Sequence, residues 1–296
     1  MRNLEQAYTQ CTELARTHYE NFPVGWLVPR ALQKHVHAIY AFARVADDLA
    51  DEGYDALAHE NNLPLLTPEK RLESLQRYER ELTCFLEGEP VSSEWSWIFD
   101  PLAATAHMHR IPHQLLYDLL SAFKQDVVKR RYETHDEVLD YCRRSANPIG
   151  RLVLHLHGYH DESMHSLADA ICTALQLTNF WQDVSVDLRK DRIYIPQEDF
   201  RAHQLDEATL FNGKATDAFR QCMRFQVERT RMLFQQGARL PQLLSGRLSL
   251  EIKLTWLGGM SILKKIEQQN YDTLKRRPKL GKCDLIFLLP RALLIP

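Results

Sequence analysis

Apolar residues recur along this chain at spacings of three and four far more often than at two, and that rhythm predicts helices almost throughout. Residues 3–20 form a first helical segment. Phe22-Pro23-Val24 and Pro29 punctuate the passage to a second, which runs through Asp51 with Val36, Ile39, Tyr40 and Phe42 on its apolar side. Residues 53–66 are polar and contain Asn61, Asn62 and Pro64, which predicts a loop. Thr67-Pro68 then supplies an N-cap and a proline at the first helical position, followed by Leu72, Leu75, Tyr78, Leu82 and Phe85 at helical spacing. Gly88 and Pro90 stop that helix. Further helices are expected over 94–109, 112–129, 134–158, 163–188, 206–238 and 248–275, with Pro112, Gly158, Pro241, Gly246 and Pro278 as punctuation.

Nothing in the pattern divides the chain: there is no internal repeat, low-complexity tract or linker-like stretch. The expectation is therefore all-α, a single-domain helical bundle over residues 1–296, with residues from about 278 forming a C-terminal tail. With 45% hydrophobic residues in 296, the chain can bury a large core, and only 11 glycines suit a helical fold.

Charge and cysteine usage exclude some functions. A net charge of −2 gives no field that would draw in a phosphate backbone, so no nucleic-acid partner is expected. The cysteines (Cys11, Cys84, Cys142, Cys172, Cys222, Cys283) include no C-x-x-C pair, which argues against a zinc ribbon or a disulfide framework and for reduced thiols in a cytoplasmic protein. The first residues are polar and acidic, unlike a secretory signal. The apolar run from Leu285 to Ile295 is broken by Pro290 and Arg291 and is too short to span a bilayer, which takes about 20 residues. It can pack into the core or touch the inner face of the cell membrane as a peripheral contact.

Two acidic constellations carry the chemistry. Asp47 and Asp51, with Asp48 between them and Glu52 after, close an apolar helix; four residues apart, the two carboxylates share one helical face. Such a pair repels itself unless a cation intervenes, and Mg²⁺ takes hard oxygen ligands of this kind and shares them with phosphates. Alone, the group reads rather as a solvated acidic helix end than as a metal site. A second copy changes the weighting: Asp183 and Asp187 repeat the spacing on another long helix, with Asn179 one turn earlier, Gln176 nearly two, and apolar Val184, Val186 and Leu188 around them. Two such pairs facing each other across a bundle interior would clamp a polyanion such as a diphosphate through metal ions. Arg189, Lys190 and Arg192 follow, either neutralising that anion or complementing a helix C-terminus.

These residues carry a resemblance. Ala38-Ile39-Tyr40-Ala41-Phe42-Ala43-Arg44-x-x-Asp47-Asp48-Leu49-Ala50-Asp51, and Gln176-x-x-Asn179-x-x-x-Asp183-x-x-x-Asp187-x-Arg189-x-x-Arg192-Ile193-Tyr194-Ile195-Pro196, look like the two signatures of the squalene/phytoene synthase family. Between them Tyr141-Cys142-Arg143-Arg144-Ser145-Ala146-Asn147-Pro148-Ile149-Gly150 resembles a third shared element. Tyr19-Glu20-Asn21-Phe22-Pro23, the stretch 145–150 and Lys279-Leu280-Gly281-Lys282-Cys283-Asp284 resemble the hydroxysqualene synthase branch, which serves bacterial hopanoid biosynthesis. Asp191, where many members have glycine, and Pro148, which interrupts a helix, depart from the phytoene synthase pattern.

The resemblance implies an isoprenoid-synthase bundle with a central active-site cavity and a prenyl diphosphate substrate. It implies Mg²⁺, with Mn²⁺ as a substitute, held by Asp47, Asp48, Asp51, Asn179, Asp183 and Asp187. Arg44, Asn179, Gln176, Lys190, Arg192 and Phe180 would contact substrate, and Tyr141 would steer a proton or water near the carbocation. In this branch presqualene diphosphate would become hydroxysqualene with water capturing the cation, so no NADPH is expected, and the partners would be other enzymes of squalene and hopanoid synthesis. The rival activities are presqualene diphosphate, squalene or phytoene synthase. A rival of another class is a non-catalytic scaffold at a membrane, which would be expected to have lost acidic ligands that this chain retains.

Other residues are expected to be structural. The spacing of His155, His157 and His160 does not put all three on one helical side. Trp95, Trp97, Phe99, Phe180, Trp181 and Trp256 could line a prenyl tunnel, but most are expected in the core and only Phe180, beside the second motif, has a positional argument. Ser145 lies in no G-x-S-x-G elbow, and Arg130-Arg131 and Arg276-Arg277 are expected as solvated charges.

Overall fold

The computed structural model describes residues 4–17, 28–51, 66–89 and 94–294, and among these every regular element is helical. The chain divides into two compact units, one of residues 1–129 with 151–160, the other of 130–150 with 161–296.

In the first unit α1 (Leu4–Thr17), α2 (Arg30–Ala50), α3 (Pro68–Glu87), α4 (Ser96–Met108) and α5 (Gln114–Val128) pack around α2. The buried side of α2 mixes small residues with larger ones: Ala38, Ala41, Ala46 and Ala50 admit close neighbours, and His35, His37, Ile39 and Phe42 fill the space between. Tyr78 of α3 stacks on Phe42 with centroids 5.7 Å apart, and its hydroxyl donates to the Phe42 carbonyl at 3.2 Å. Phe99 of α4 tilts against the same ring at 4.7 Å. As expected, Thr67 caps α3 and Pro68 opens it, while Gly88, at φ +77°, closes it in the left-handed conformation.

The second unit is built on α8 (Glu162–Gln182). Before it come α6 (His135–Ser145) and α7 (Asn147–Leu156), the latter shared between the units along the chain. After it come α9 (Val184–Asp187), a 3₁₀ turn (Leu188–Lys190), α10 (Gln197–Ala202), α11 (Glu207–Phe211), α12 (Asp217–Gly237), α13 (Leu240–Leu243), α14 (Gly246–Gln268) and α15 (Lys282–Leu294). α12, α14 and α6 pack on α8. Fully buried Trp181 anchors the α8–α12 contact, its indole N–H donating to Thr230 Oγ1 at 2.8 Å. A Cβ on Gly237 of α12 would lie 2.9 Å from the Leu167 carbonyl oxygen of α8, so the absence of a side chain there sets how closely the helices approach.

Three expected helices are broken. The one over 134–158 stops at Ala146 and restarts at Asn147, because Pro148 has no N–H to continue the ladder. The one over 206–238 becomes α11 and α12: Asn212-Gly213 makes a turn with Gly213 at φ +65°, and Thr216 caps the new start. The one over 163–188 is interrupted at Asp183 (φ −102°, ψ 10°). α14 ends at Gln268, short of the expected 275, with Asn270 and Tyr271 both left-handed. All of the expected loop over 53–66 except Leu66, with Glu52 and the motif at 19–23, lies outside the described residues. No described helix is long and apolar enough to cross a membrane.

Candidate active site

The first acidic motif lies where α2 ends. Asp47 is half-exposed, and Arg44, one turn earlier, reaches Asp47 Oδ2 at 3.2 Å and Asp48 Oδ1 at 2.7 Å. Arg44 is thus already engaged with the acids it accompanies. Asp51 is the residue at which the helix stops: its backbone is extended, while its N–H still donates to the Asp47 carbonyl at 2.9 Å. The two carboxylates therefore remain one turn apart without both lying inside the helix. Beneath them Arg71 of α3, almost wholly buried, donates to the Ala50 carbonyl at 2.8 Å and covers the negative end of α2.

The second motif has the same one-turn relation across a break. The Asp183 carbonyl accepts from the N–H groups of Val186 at 2.7 Å and Asp187 at 2.9 Å, so α9 continues from α8 after a single non-helical residue. Asn179 is exposed and Gln176 half-buried on α8. The two side chains at the break are tied to one distant segment. Arg277 pairs with both oxygens of Asp183, Nη2 lying 2.9 Å from Oδ2, and the Gln182 amide donates to the Pro278 carbonyl at 2.7 Å. Arg277, expected as a solvated charge, is instead a partner of the motif, because 94 residues of chain bring it back to α8.

Asp187 is the most perturbed acid of the site. Burial, reinforced by the charge of Asp183, raises its carboxyl to about 7, against the opposing pull of Arg192, Lys190 and Arg277. It lines a small pocket with Phe180, Val184, Arg192, Ile193, Tyr194 and Ile195. Phe180 and Tyr194 stack nearly parallel at 3.7 Å, Tyr132 stacks on Tyr194 at 5.6 Å, and buried Tyr141 meets Phe180 at 5.9 Å and Tyr194 at 6.1 Å. Phe180 and Tyr194 thus stand in one pocket with a half-buried acid, and Tyr132 and Tyr141 back them as a cluster of four aromatic rings. Tyr132 and Tyr194 were not singled out from sequence, although Tyr194 lies inside the second signature.

The loop that carries Lys190 and Arg192 is fixed by Arg130 and Arg131, again not the solvated charges expected. Arg131 bonds Asp191 Oδ1 at 2.7 Å and Glu207 Oε1 at 3.0 Å, and Arg130 donates to the Lys190 carbonyl at 3.1 Å. Asp191 sits at φ +54°, the left-handed region that favours glycine. The departure noted in the sequence is thus a carboxylate that tolerates a strained turn while serving as an anchor.

The donor set suits a hard divalent cation. Every candidate ligand offers oxygen, and the pressure that lifts Asp187 would be reversed by positive charge beside it. Among the described residues no three His, Cys, Asp or Glu side chains converge on a common point. Mg²⁺ held through one or two carboxylates and completed by phosphate and water oxygens needs no such convergence.

The family model described as squalene/phytoene synthase matches residues 14–284. The chain is 32% identical to a hydroxysqualene synthase of Rhodopseudomonas palustris over 94% of its own length and 90% of the relative's. It is 30% identical to the chloroplastic phytoene synthase of Daucus carota, over 98% of this chain and 70% of that one. The crystal structure of squalene synthase HpnC from Alicyclobacillus acidocaldarius superposes with a TM-score of 0.81 at 37% identity, covering 91% of this chain and 96% of that one. The chain belongs to the squalene/phytoene synthase family, enzymes that process prenyl diphosphates, and its all-helical fold is that of its structural relatives.

Proposed function

We propose that the protein converts presqualene diphosphate to hydroxysqualene with release of diphosphate. The observation that carries this reading is the juxtaposition of Asp187, a half-buried oxygen donor in an acidic pair, with the stacked rings of Phe180 and Tyr194, which Tyr132 and Tyr141 back. Ionisation breaks a carbon–oxygen bond, leaves the electron pair on diphosphate and leaves a carbocation. The acids and basic side chains suit the anion, and the aromatic faces suit the cation. The choice of branch is supported by the 37% identity to a bacterial squalene synthase and 32% to a hydroxysqualene synthase.

Asp47, Asp48 and Asp51 in the first unit, and Asn179, Asp183 and Asp187 in the second, are the residues that would hold Mg²⁺. The bound ion supplies charge neutralisation of the leaving diphosphate. Lys190 and Arg192, in the loop anchored by Arg130 and Arg131, would hold diphosphate oxygens. The aromatic wall limits water near the cation, and the Tyr141 phenol oxygen accepts a hydrogen bond from the one water that adds to it; as the new carbon–oxygen bond forms, the proton that this water sheds passes to the released diphosphate. Water, not hydride, completes the reaction, so NADPH is not required. The enzyme would work beside those that make presqualene diphosphate and consume hydroxysqualene.

Purified protein incubated with Mg²⁺ and presqualene diphosphate, without NADPH, should yield hydroxysqualene by mass spectrometry. Presqualene diphosphate accumulating from farnesyl diphosphate would replace this step with the preceding condensation. Phytoene from geranylgeranyl diphosphate would establish the second reading, which the 30% identity to a plant phytoene synthase along 98% of the chain favours.

A further inference from the structure

Helix α15 presents two unlike sides. Leu288 and Ala292, one turn apart, are buried against Leu257 of α14, with Leu250, Leu254 and Leu280 packed around them. Lys265 of α14 reaches Asp284 at 3.0 Å and fixes the other end of the contact. On the opposite side apolar residues face outward: Phe287 is 70% exposed, Leu289 48%, Leu293 69% and Leu294 82%. Pro290 lies exposed on the same side. At 100° per residue these five positions cover a continuous arc opposite Leu288 and Ala292. An exposed apolar stripe of this breadth is uncommon on a free surface.

The charges around the stripe point to its occupant. Between Lys275 and Leu294 the sequence places six basic residues, Lys275, Arg276, Arg277, Lys279, Lys282 and Arg291, and one acid, Asp284, in a chain whose net charge is −2. Asp284 is neutralised by Lys265 and by the Gly281 N–H at 2.6 Å, and Arg277 is spent on Asp183. Arg291 is exposed on α15 at the edge of the apolar arc, and Arg276 and Lys279 are exposed in the segment that leads into the helix. An apolar face with basic residues at its edge and in the segment before it matches the interface of an anionic bilayer, where leucine and phenylalanine enter the acyl boundary and basic groups meet the headgroup phosphates.

We propose that α15 lies on the surface of an anionic phospholipid membrane through Phe287, Leu289, Leu293 and Leu294, with Arg291 at the headgroups. The proposal is independent of the reaction assigned above, since adsorption is read without substrate. Full-length protein is sedimented with vesicles of phosphatidylcholine alone and of phosphatidylcholine with phosphatidylglycerol, beside the variant Phe287→Ser/Leu293→Ser/Leu294→Ser and the variant Arg291→Glu. The wild type should partition onto the anionic vesicles, and the triple variant should bind them at least about tenfold less. Arg291→Glu should weaken binding to anionic vesicles with little change on neutral ones. All three altered side chains of the triple variant are exposed, so its circular dichroism and melting temperature should match the wild type; a lowered melting temperature would assign the face to packing instead. Absence of wild-type binding to anionic vesicles, or equal binding by the triple variant, would overturn the proposal. So would a wild-type dimer in light scattering that the triple substitution dissociates, which would give the face to a second copy of the chain.

Discussion

Arg277 grips the carboxylate of Asp183 from 94 residues away, Nη2 lying 2.9 Å from Oδ2. The guanidinium is 40% exposed and the carboxylate 22%, so the pair is screened and adds under about 1 kcal/mol to stability. Its significance is positional: a permanent cation stands on the acid that opens the second motif. Arg277→Ala should lower kcat/KM at least about tenfold, as loss of a charge-assisted contact to a developing anion does, while melting within a few degrees of the wild type. Steady-state kinetics and a thermal melt on one preparation separate the two; an unchanged kcat/KM would remove Arg277 from the site.

Asp47→Asn and Asp183→Asn each delete one carboxylate charge without touching a core contact. Turnover should fall by about a thousandfold or more in either variant, with the far-ultraviolet circular dichroism unchanged. Full activity in either would end the account in which the paired acids hold Mg²⁺.

What was legible from sequence was local. The helices follow from apolar spacing, and Thr67-Pro68 and Gly88 mark the limits of α3 because caps act over one turn. Asp47, Asp51, Asp183 and Asp187 could be picked out because their spacing is itself the signal. Arg71, Arg131 and Arg277 could not, since each finds its partner at a separation that no periodicity encodes: Arg71 at Ala50, Arg131 at Asp191 and Arg277 at Asp183. The break at Asp183 escaped for a related reason. Gln182 and Asp183 have ordinary helical neighbours, and the groups that hold them come from residues 277 and 278.

Gly150 tests how tightly α7 is seated. A Cβ there would meet Cys172 Sγ at 2.6 Å and Ala168 Cβ at 3.5 Å, on the inward side of α8. Gly150→Ala gains helix propensity of about 1 kcal/mol but overpacks the contact, which costs about 1–3 kcal/mol, so the variant should be less stable or unchanged and never more stable. Cys172→Ala in the same chain removes the obstructing sulfur. Denaturant unfolding should then show the pair more stable than the sum of the single variants predicts, and strict additivity would mean that the sulfur is not the obstacle.

Asp191 combines a left-handed backbone at φ +54° with an ion pair to Arg131 at 2.7 Å. Glycine at this position relieves the backbone strain while giving up an exposed, solvent-screened pair, so Asp191→Gly should stay close to the wild type in stability. Asp191→Ala keeps the strain and loses the pair, and should be the least stable of the three. Chemical unfolding of the three proteins checks the order, and an alanine variant as stable as the glycine one would show that the turn carries no strain.

His35 gives the first unit an acid-sensitive point. Its ring is buried on α2, with Nδ1 2.8 Å from Thr105 Oγ1 and 3.3 Å from the Tyr8 hydroxyl, and the His109 ring packs at 4.6 Å. Burial, with lesser contributions from His109 and Lys34 and against Glu5, lowers its pKa from 6.5 to about 4. The folded protein then binds fewer protons than the unfolded chain between those values. The stabilisation is fully present above pH 6.5 and is lost as the pH falls towards 4. His35→Asn keeps a polar side chain for Thr105 and Tyr8 but does not titrate. The stability of the wild type relative to this variant, measured by urea unfolding at several pH values, should be largest above pH 6.5 and shrink steadily to pH 4. A constant difference across that window would mean that His35 is protonated in the fold as readily as outside it.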